Sequence, residues 1–284
     1  MTSSLTTDIS SVVDLDRYPV DRPDSAGYAE LVTRSRAQLA ATGASELTDL
    51  LTTDGLSTMI ADALALEPTA FHSGGLGTAY LGLPDESLPE DHPTRYWGDY
   101  GVGAVAYDQF PTTSPIRRFY EWPSLLQFLT DVLDRGPVYP YADPLGALNL
   151  ATMGAGDQLQ WHFDQTDFVV SLALRDADVG GDFEVVPRIR SDGDERYEDV
   201  SRLLGGDHFD VVTLPMVPGT LLIFEGRNSI HRVSPIEGST SRLVGLLGYD
   251  TRPDTMSSEL LKLVRYGRSE AIPSSPSIET KDRR

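Results

Sequence analysis

The chain of 284 residues has no cysteine. That absence excludes disulfides and thiolate metal sites, and it fits a reducing, cytoplasmic setting. Long apolar runs are missing too. Stretches such as Phe168-Val169-Val170 are far too short to cross a bilayer, which takes about 20 consecutive apolar residues. The opening residues MTSSLTTDISS lack the basic start and apolar core of a secretory signal, so none is expected. Positive charge is scarce: 23 Lys and Arg stand against 43 Asp and Glu, for a formal net charge of −20. Nucleic acid and anionic membranes need a positive footprint, so neither is an expected partner. The acidic surface serves solubility and identifies no substrate.

What is present has the organisation of a globular chain. Residues 1–24 are polar, with Pro19 and Pro23, and read as an extended N-terminal arm. Residues 25–268 are expected to form a single domain, with a helical and lid part over 25–144 and a jelly-roll core over 145–250; a flexible tail covers 269–284. Asp24 or Ser25 can cap a first helix, with Tyr28, Leu31, Val32 and Leu39 at helical spacing and Gly43 as its stop. Leu47, Leu50 and Leu51 suggest a short strand. Asp54 can cap a second helix that buries Met59, Ile60, Ala63 and Leu64. Another follows Pro123, with Leu125, Phe128, Leu129, Val132 and Leu133 on one side. Residues 72–103 mix many glycines and prolines with Tyr80, Tyr96, Trp97 and Tyr100, and read as a long loop. It is either a lid or a surface loop packed by its own aromatics.

From about residue 145 the texture becomes β. Short runs at 148–151, 159–163, 168–174, 183–186, 211–214, 220–224, 231–233 and 243–249 alternate with turn signals. Strands after helices point to an α+β, mainly β fold: a double-stranded β-helix (jelly roll, cupin-like) with the N-terminal helices packed outside. Residues 188–208 form a charged insertion in which Tyr197, Val200, Leu203 and Leu204 give a short helix one apolar side. Lid and inert decoration are both open for it. Gly180-Gly181-Asp182-Phe183 shares a short string with cyclic-dinucleotide cyclases but reads better here as a tight glycine turn.

The chemistry is concentrated in His162-Phe163-Asp164, with His231 67 residues beyond the aspartate and Arg242 11 further on. On a strand, residues i and i+2 share a face, so His162 and Asp164 can converge while Phe163 points away. Two imidazoles and one carboxylate occupy one face of a six-coordinate Fe(II) and leave three positions open for 2-oxoglutarate and O2. An arginine offers a planar fork that matches a carboxylate, which suits Arg242 to the far end of a dicarboxylate. Zinc accepts the same ligands, but a zinc hydrolase has no evident use for that arginine. Asn149, one run earlier, can add a hydrogen bond to the co-substrate. His72, His92 and His208 lack ligand spacing and read as surface histidines.

The runs GDQLQWHFD, GGDFE, GTLLIFEGRNSIHRV and SRLV resemble the 2-oxoglutarate/Fe(II) oxygenases. The resemblance is closest to the bacterial group acting on free amino acids, which holds the lysine radical halogenases and their hydroxylase relatives. It covers about 147–250 and, more weakly, 85–135. It implies that His162, Asp164 and His231 hold iron and that Arg242 binds 2-oxoglutarate. It also implies a branch: the halogenases carry glycine where this chain has Asp164, which vacates a position for chloride. A carboxylate there implies hydroxylation. The lysine halogenases place an acidic residue directly after the metal motif, where this chain has Gln165, with Asp167 two further on. That departure argues against lysine itself. Arg95 resembles the arginine that holds the substrate carboxylate in that group.

The expected protein is therefore a hydroxylase of a free amino acid or close analogue, using Fe(II), 2-oxoglutarate and O2 and releasing succinate and CO2. A desaturase or cyclase, an oxygenase of a carrier-tethered amino acid, and a non-catalytic jelly-roll binding protein are the alternatives. The sequence leaves the oligomeric state open, a homodimer included.

Overall fold

The computed structural model describes residues 9–272. Ser25 caps the first helix, α1 (Ala26–Thr42): its side chain accepts from the Tyr28 N–H, and Gly43 ends the helix at φ 73°. The chain turns directly into β1 (Ala44–Leu47). Thr52, rather than Asp54, caps α2 (Thr53–Leu66), and Asp54 sits in the first turn, where its charge faces the positive end of the helix dipole. Then come β2 (Phe71–Thr78), β3 (Trp97–Val105), α3 (Pro115–Tyr120) and α4 (Pro123–Leu133). Trp122 offers α4 no side-chain cap, but Leu125, Phe128, Leu129, Val132 and Leu133 are all buried along one face. A missing cap costs about 1 kcal/mol. Each fully buried apolar side chain contributes about 1.5–3 kcal/mol, so packing decides this helix.

The remaining elements are β4 (Tyr139–Pro140), β5 (Leu148–Met153), β6 (Gln158–His162), β7 (Val169–Arg175), β8 (Phe183–Val186), α5 (Tyr197–Leu204), β9 (Val212–Leu214), β10 (Leu221–Phe224), β11 (Ile230–Val233), β12 (Arg242–Leu247), β13 (Tyr249–Asp250) and α6 (Glu259–Tyr266). Every β run expected after residue 145 is a strand, and together they make the expected jelly roll. One curled antiparallel sheet has the order β1-β10-β7-β12-β5-β3-β6-β11-β8-β9, with β2 also paired to β3. β3 joins the two halves: Gly103, Ala104 and Val105 pair with β5, while Tyr100 and Gly101 pair with β6. Its glycines have a reason. A Cβ on Gly101 would lie 2.6 Å from Asp157 Oδ1, and one on Gly103 2.6 Å from Thr152 Cγ2.

Alternation along the strands separates the apolar cores. On β10, Leu221 and Ile223 pack towards the helices, while Leu222 and Phe224 face the space between the two half-sheets. On β7, Val170, Leu172 and Leu174 likewise face the helices, and Ala173 faces inward. Behind β6 and β11, Trp161, Phe163 and Ile230 pack with Val200 and Leu203 of α5. The functional side chains stand in the space between the half-sheets.

Three expectations need correction, and one open alternative is decided. Residues 72–103 are not one long loop: β2 and β3 form a hairpin paired from Phe71↔Ala104 to Thr78↔Trp97, and the loop is confined to 79–96. The insertion around α5 is not a lid, because its apolar side lies on the outer face of β6 and β11, away from the inter-sheet space. Part of the expected arm, 1–8, lies outside the described residues, but Val12, Val13, Tyr18 and Val20 are buried in the core that packs the helices. Residues 273–284 of the expected tail also lie outside the described residues, whereas Arg268 pairs with Asp108 at 2.6 Å and the Ile272 N–H donates to the same carboxylate at 2.7 Å. No helix among the described residues is long and apolar enough to cross a membrane.

Candidate metal centre

β6 and β11 are antiparallel neighbours, and His162 and His231 are register partners across them. The outward residues Trp161, Phe163 and Ile230 are fixed in the core behind the sheet. That anchoring turns both imidazoles inward, with ring centroids 4.2 Å apart. His162 Nδ1 lies 2.7 Å from the Gln160 carbonyl, and His231 Nδ1 lies 2.9 Å from the Ser229 carbonyl. A ring nitrogen facing a carbonyl oxygen carries the proton and donates it. Each Nε2 is then a free lone pair, the tautomer a metal ligand needs. Burial, reinforced by the neighbouring His231, lowers the His162 pKa to about 4. At neutral pH His162 is therefore uncharged and ready to ligate.

Asp164 follows β6 and is held by its own N–H, which donates to the Gly226 carbonyl at 3.1 Å. Its Oδ2 lies 3.3 Å from His231 Nε2. The same oxygen is buried and has no hydrogen-bond partner. With the His231 proton on Nδ1, this close approach sets lone pair against lone pair, an arrangement that a cation between them resolves. Two cis ligands each about 2.1 Å from one ion stand about 3 Å apart, close to the spacing seen. The ligating atoms of His162, Asp164 and His231 all lie within 4.8 Å of one another. The residues therefore fit a divalent ion with two nitrogens and one oxygen on one face.

Arg242 opens β12 and is 6% exposed. Burial lowers its pKa to about 10, opposed by the charges of Asp176 and Asp182, so it remains a cation at neutral pH. It makes no hydrogen bond or close ion pair with the described residues. Such a group is prepared to receive an anion. The glycine turn expected at 180–181 is present, with φ of 72° and 76°, and a Cβ on Gly181 would come within 3.2 Å of the Arg242 side chain. Arg242 pairs with Met153, and four residues along the same ladder Leu246 pairs with Asn149. Arg242 and Asn149 are thus about 13 Å apart along the strands.

The other expected residues are placed differently. Asn149 is buried, and its Oδ1 accepts from Arg265 Nη2 at 3.3 Å. Gln165 and Asp167 are exposed in the loop after Asp164. Arg227 bridges them, with Nε 2.5 Å from Asp167 Oδ1 and Nη2 2.6 Å from the Gln165 carbonyl. Arg95 ends a short turn in which the His92 ring packs 4.5 Å from Tyr197 of α5, and its Nη1 donates to the Leu88 carbonyl at 2.7 Å. Since α5 lies behind β6 and β11, the structure does not bring Arg95 to the triad. One residue the sequence reading missed is Arg265 on α6, beside Asn149. Its signal is a helical spacing, Lys262, Arg265 and Tyr266, that puts polar groups on one side.

A jelly roll with His162, Asp164 and His231 converging inside it is the architecture of a 2-oxoglutarate/Fe(II)-dependent oxygenase, with iron and 2-oxoglutarate as its cofactors. Solved structures of similar fold include the non-heme alpha-ketoglutarate-dependent carbocyclase SnoK of nogalamycin biosynthesis (14% identical, covering 87% of this chain and 96% of that one, TM-score 0.56). The epimerase SnoN of nogalamycin biosynthesis is similar over 78% of this chain and 81% of its own at 14% identity, TM-score 0.54. AviO1 from Streptomyces viridochromogenes Tue57 is 19% identical over 80% of this chain and 97% of its own, TM-score 0.52. No functionally curated protein matches the chain in sequence. Within the class, the chain belongs to the HalD (Halogenase D) family, whose model matches residues 103–262.

Proposed function

We propose that this chain is a hydroxylase that inserts oxygen into an unactivated C–H bond of a free amino acid or close analogue. Asp164 carries the reading. The family's name points to halogen transfer, and the halogenases that the sequence resembles have glycine at this position. Here a carboxylate stands there, its buried Oδ2 3.3 Å from His231 Nε2 and free of any competing hydrogen bond. It occupies the third protein position of the triad, so no place is vacated for chloride.

Bound iron, with 2-oxoglutarate and O2, supplies the oxidising power, and 2-oxoglutarate leaves as succinate and CO2. The protein supplies position and dryness. His162, Asp164 and His231 would hold the metal. Arg242 would hold the distal carboxylate of 2-oxoglutarate, and Asn149 would offer the co-substrate a hydrogen bond. Phe183 and Phe224, with ring centroids 5.5 and 5.0 Å from that of His231, exclude water behind the metal. Gln165 and Asp167 lie at the rim, where they border the substrate's way in. Arg95 has no part in this proposal.

The test is turnover of an amino-acid panel with Fe(II), O2 and 2-oxoglutarate in chloride-containing buffer, followed by mass spectrometry. A product with one added oxygen and matching succinate supports the reading. A chlorinated product overturns it, and no succinate with any panel member sinks the enzyme reading.

A further inference from the structure

We infer that Arg265 of α6 holds the carboxylate of the primary substrate, so the substrate is a free carboxylic acid and not an acid tethered as a thioester to a carrier. The inference rests on the oxygenase reading above and names the group by which the substrate is held.

α6 is packed the wrong way round for an ordinary surface helix. Lys262 and Tyr266 are buried, at 5% and 6% exposure, and Arg265 lies on the same side. Leu260, Leu261, Leu263 and Val264 face solvent. A helix with four large apolar residues normally buries them and leaves its cations in water. The cost of reversing that pattern is met for Lys262, whose Nζ lies 3.2 Å from Asp143 Oδ1, with both side chains buried. Asp143 also accepts the backbone N–H groups of Leu145 and Ser257.

Arg265 has no such partner. Its Nη2 donates to Asn149 Oδ1 over a long 3.3 Å. Its Nε is buried and donates to nothing. Its other side-chain hydrogen-bond partner, the Tyr266 phenol, is neutral, as is the Asn149 amide. No carboxylate among the described residues lies within ion-pair distance of it. A half-buried guanidinium with a free N–H edge is a seat for an external carboxylate.

The position says whose carboxylate. Asn149 stands on the inward side of β5: Ala151 and Met153, at the same alternation, pack in the inter-sheet core, as does its register partner Leu246. Arg265 therefore reaches the space into which the triad points. Arg242 is four residues deeper along the ladder than the pair that holds Asn149, so the two cations stand at different levels. Two cations on different levels match two acids: the distal end of 2-oxoglutarate at Arg242 and the substrate at Arg265. α6 holds that geometry rigidly. Ser258 caps it, accepting from the Leu261 N–H at 3.2 Å, the Lys262–Asp143 pair pins its middle, and Gly267 ends it against the Phe71 ring. A thioester presents no negative oxygen to Arg265, so a carrier-bound substrate forfeits this contact.

The experiment is calorimetric titration of the intact chain, loaded with Zn(II) in place of Fe(II) and with 2-oxoglutarate, using free amino acids and their carboxamides. The expected result is that at least one free acid binds and its carboxamide binds about 100-fold more weakly, the scale of a lost buried charge pair. Arg265→Met should lose a similar factor for the acid and cease to distinguish acid from amide, with 2-oxoglutarate affinity unchanged. Arg265→Lys should fall between the two. Equal binding of acid and amide by the unaltered protein overturns the inference, whether or not the variants fold. So does a loss of 2-oxoglutarate affinity, instead of acid affinity, in Arg265→Met, and so does binding of no free acid at all. A chlorinated product from an acid that binds through Arg265 would instead overturn hydroxylation and leave this inference standing.

Discussion

Gly226 and Asp164 share one small space: a Cβ on Gly226 would lie 2.1 Å from Asp164 Oδ2. The same glycine accepts the Asp164 N–H through its carbonyl. The turn before β11 is therefore shaped around the carboxylate that completes the triad. Gly226→Ala should push Asp164 out of position and weaken Fe(II) binding by about 10–100-fold, as the loss of a ligand's support does. Metal titration of the variant beside the parent protein checks it; an unchanged affinity would show that Asp164 has room to spare.

Asp164→Gly tests the ligand itself. The variant should keep its fold, since Trp161 and Phe163 still anchor β6. Hydroxylation should fall by about 100-fold or more. Normal hydroxylation by this variant, measured by product mass and succinate, would refute the ligand role.

Arg242→Gln should leave the triad and its metal affinity intact while 2-oxoglutarate binding weakens by about 100-fold. Titration of the metal-loaded protein with 2-oxoglutarate reads this directly. Equal loss of metal and co-substrate would point to a structural role for the arginine instead.

His162 makes the metal-free protein sensitive to acid. Its pKa falls from the ordinary 6.5 to about 4 on folding, chiefly through burial. Between those values the unfolded chain binds the extra proton and the folded one does not, so stability rises with pH there. The contribution is fully present above pH 6.5 and is lost as pH falls towards 4. Its size is at most about 3 kcal/mol. Denaturant unfolding of chelator-treated protein at several pH values should show this slope, and His162→Gln should flatten it.

Asp143→Ala leaves Lys262 buried without its counter-charge. Breaking a buried ion pair from one side costs about 3–5 kcal/mol. The variant should unfold at lower denaturant, and α6 should become sensitive to protease. Because α6 positions Arg265, affinity for a free acid should fall as well.

The core strands could be read from the chain because β5, β7, β10 and β12 alternate faces with large side chains on both, so their period survives. β2 and β3 could not, because Gly74, Gly75, Gly77, Gly98, Gly101 and Gly103 erase the period that marks a strand. Those glycines are there because Thr152, Asp157 and Gln160 come too close for a side chain at several of the positions. α5 was legible as a helix but not as a cover for the back of the sheet. Arg265 was hidden for a further reason: amphipathic reasoning turns the leucines of α6 inward, and the structure turns them out.

By itself the sequence determined the chemistry on offer: His162 and Asp164 two apart on a strand, His231 and Arg242 further along the chain, and a carboxylate in place of glycine. These follow from residue type and from the two-residue period of a strand, both of which are local. Only the tertiary structure decided that His162 meets His231, that Arg242 lies deeper than Asn149, that the turn ending at Arg95 packs on α5, and that Arg265 meets Asn149. Those relations depend on hydrogen-bond register between distant strands and on which face of each element is buried. Both are set by the packing of the cores together, and no single segment of the chain encodes them.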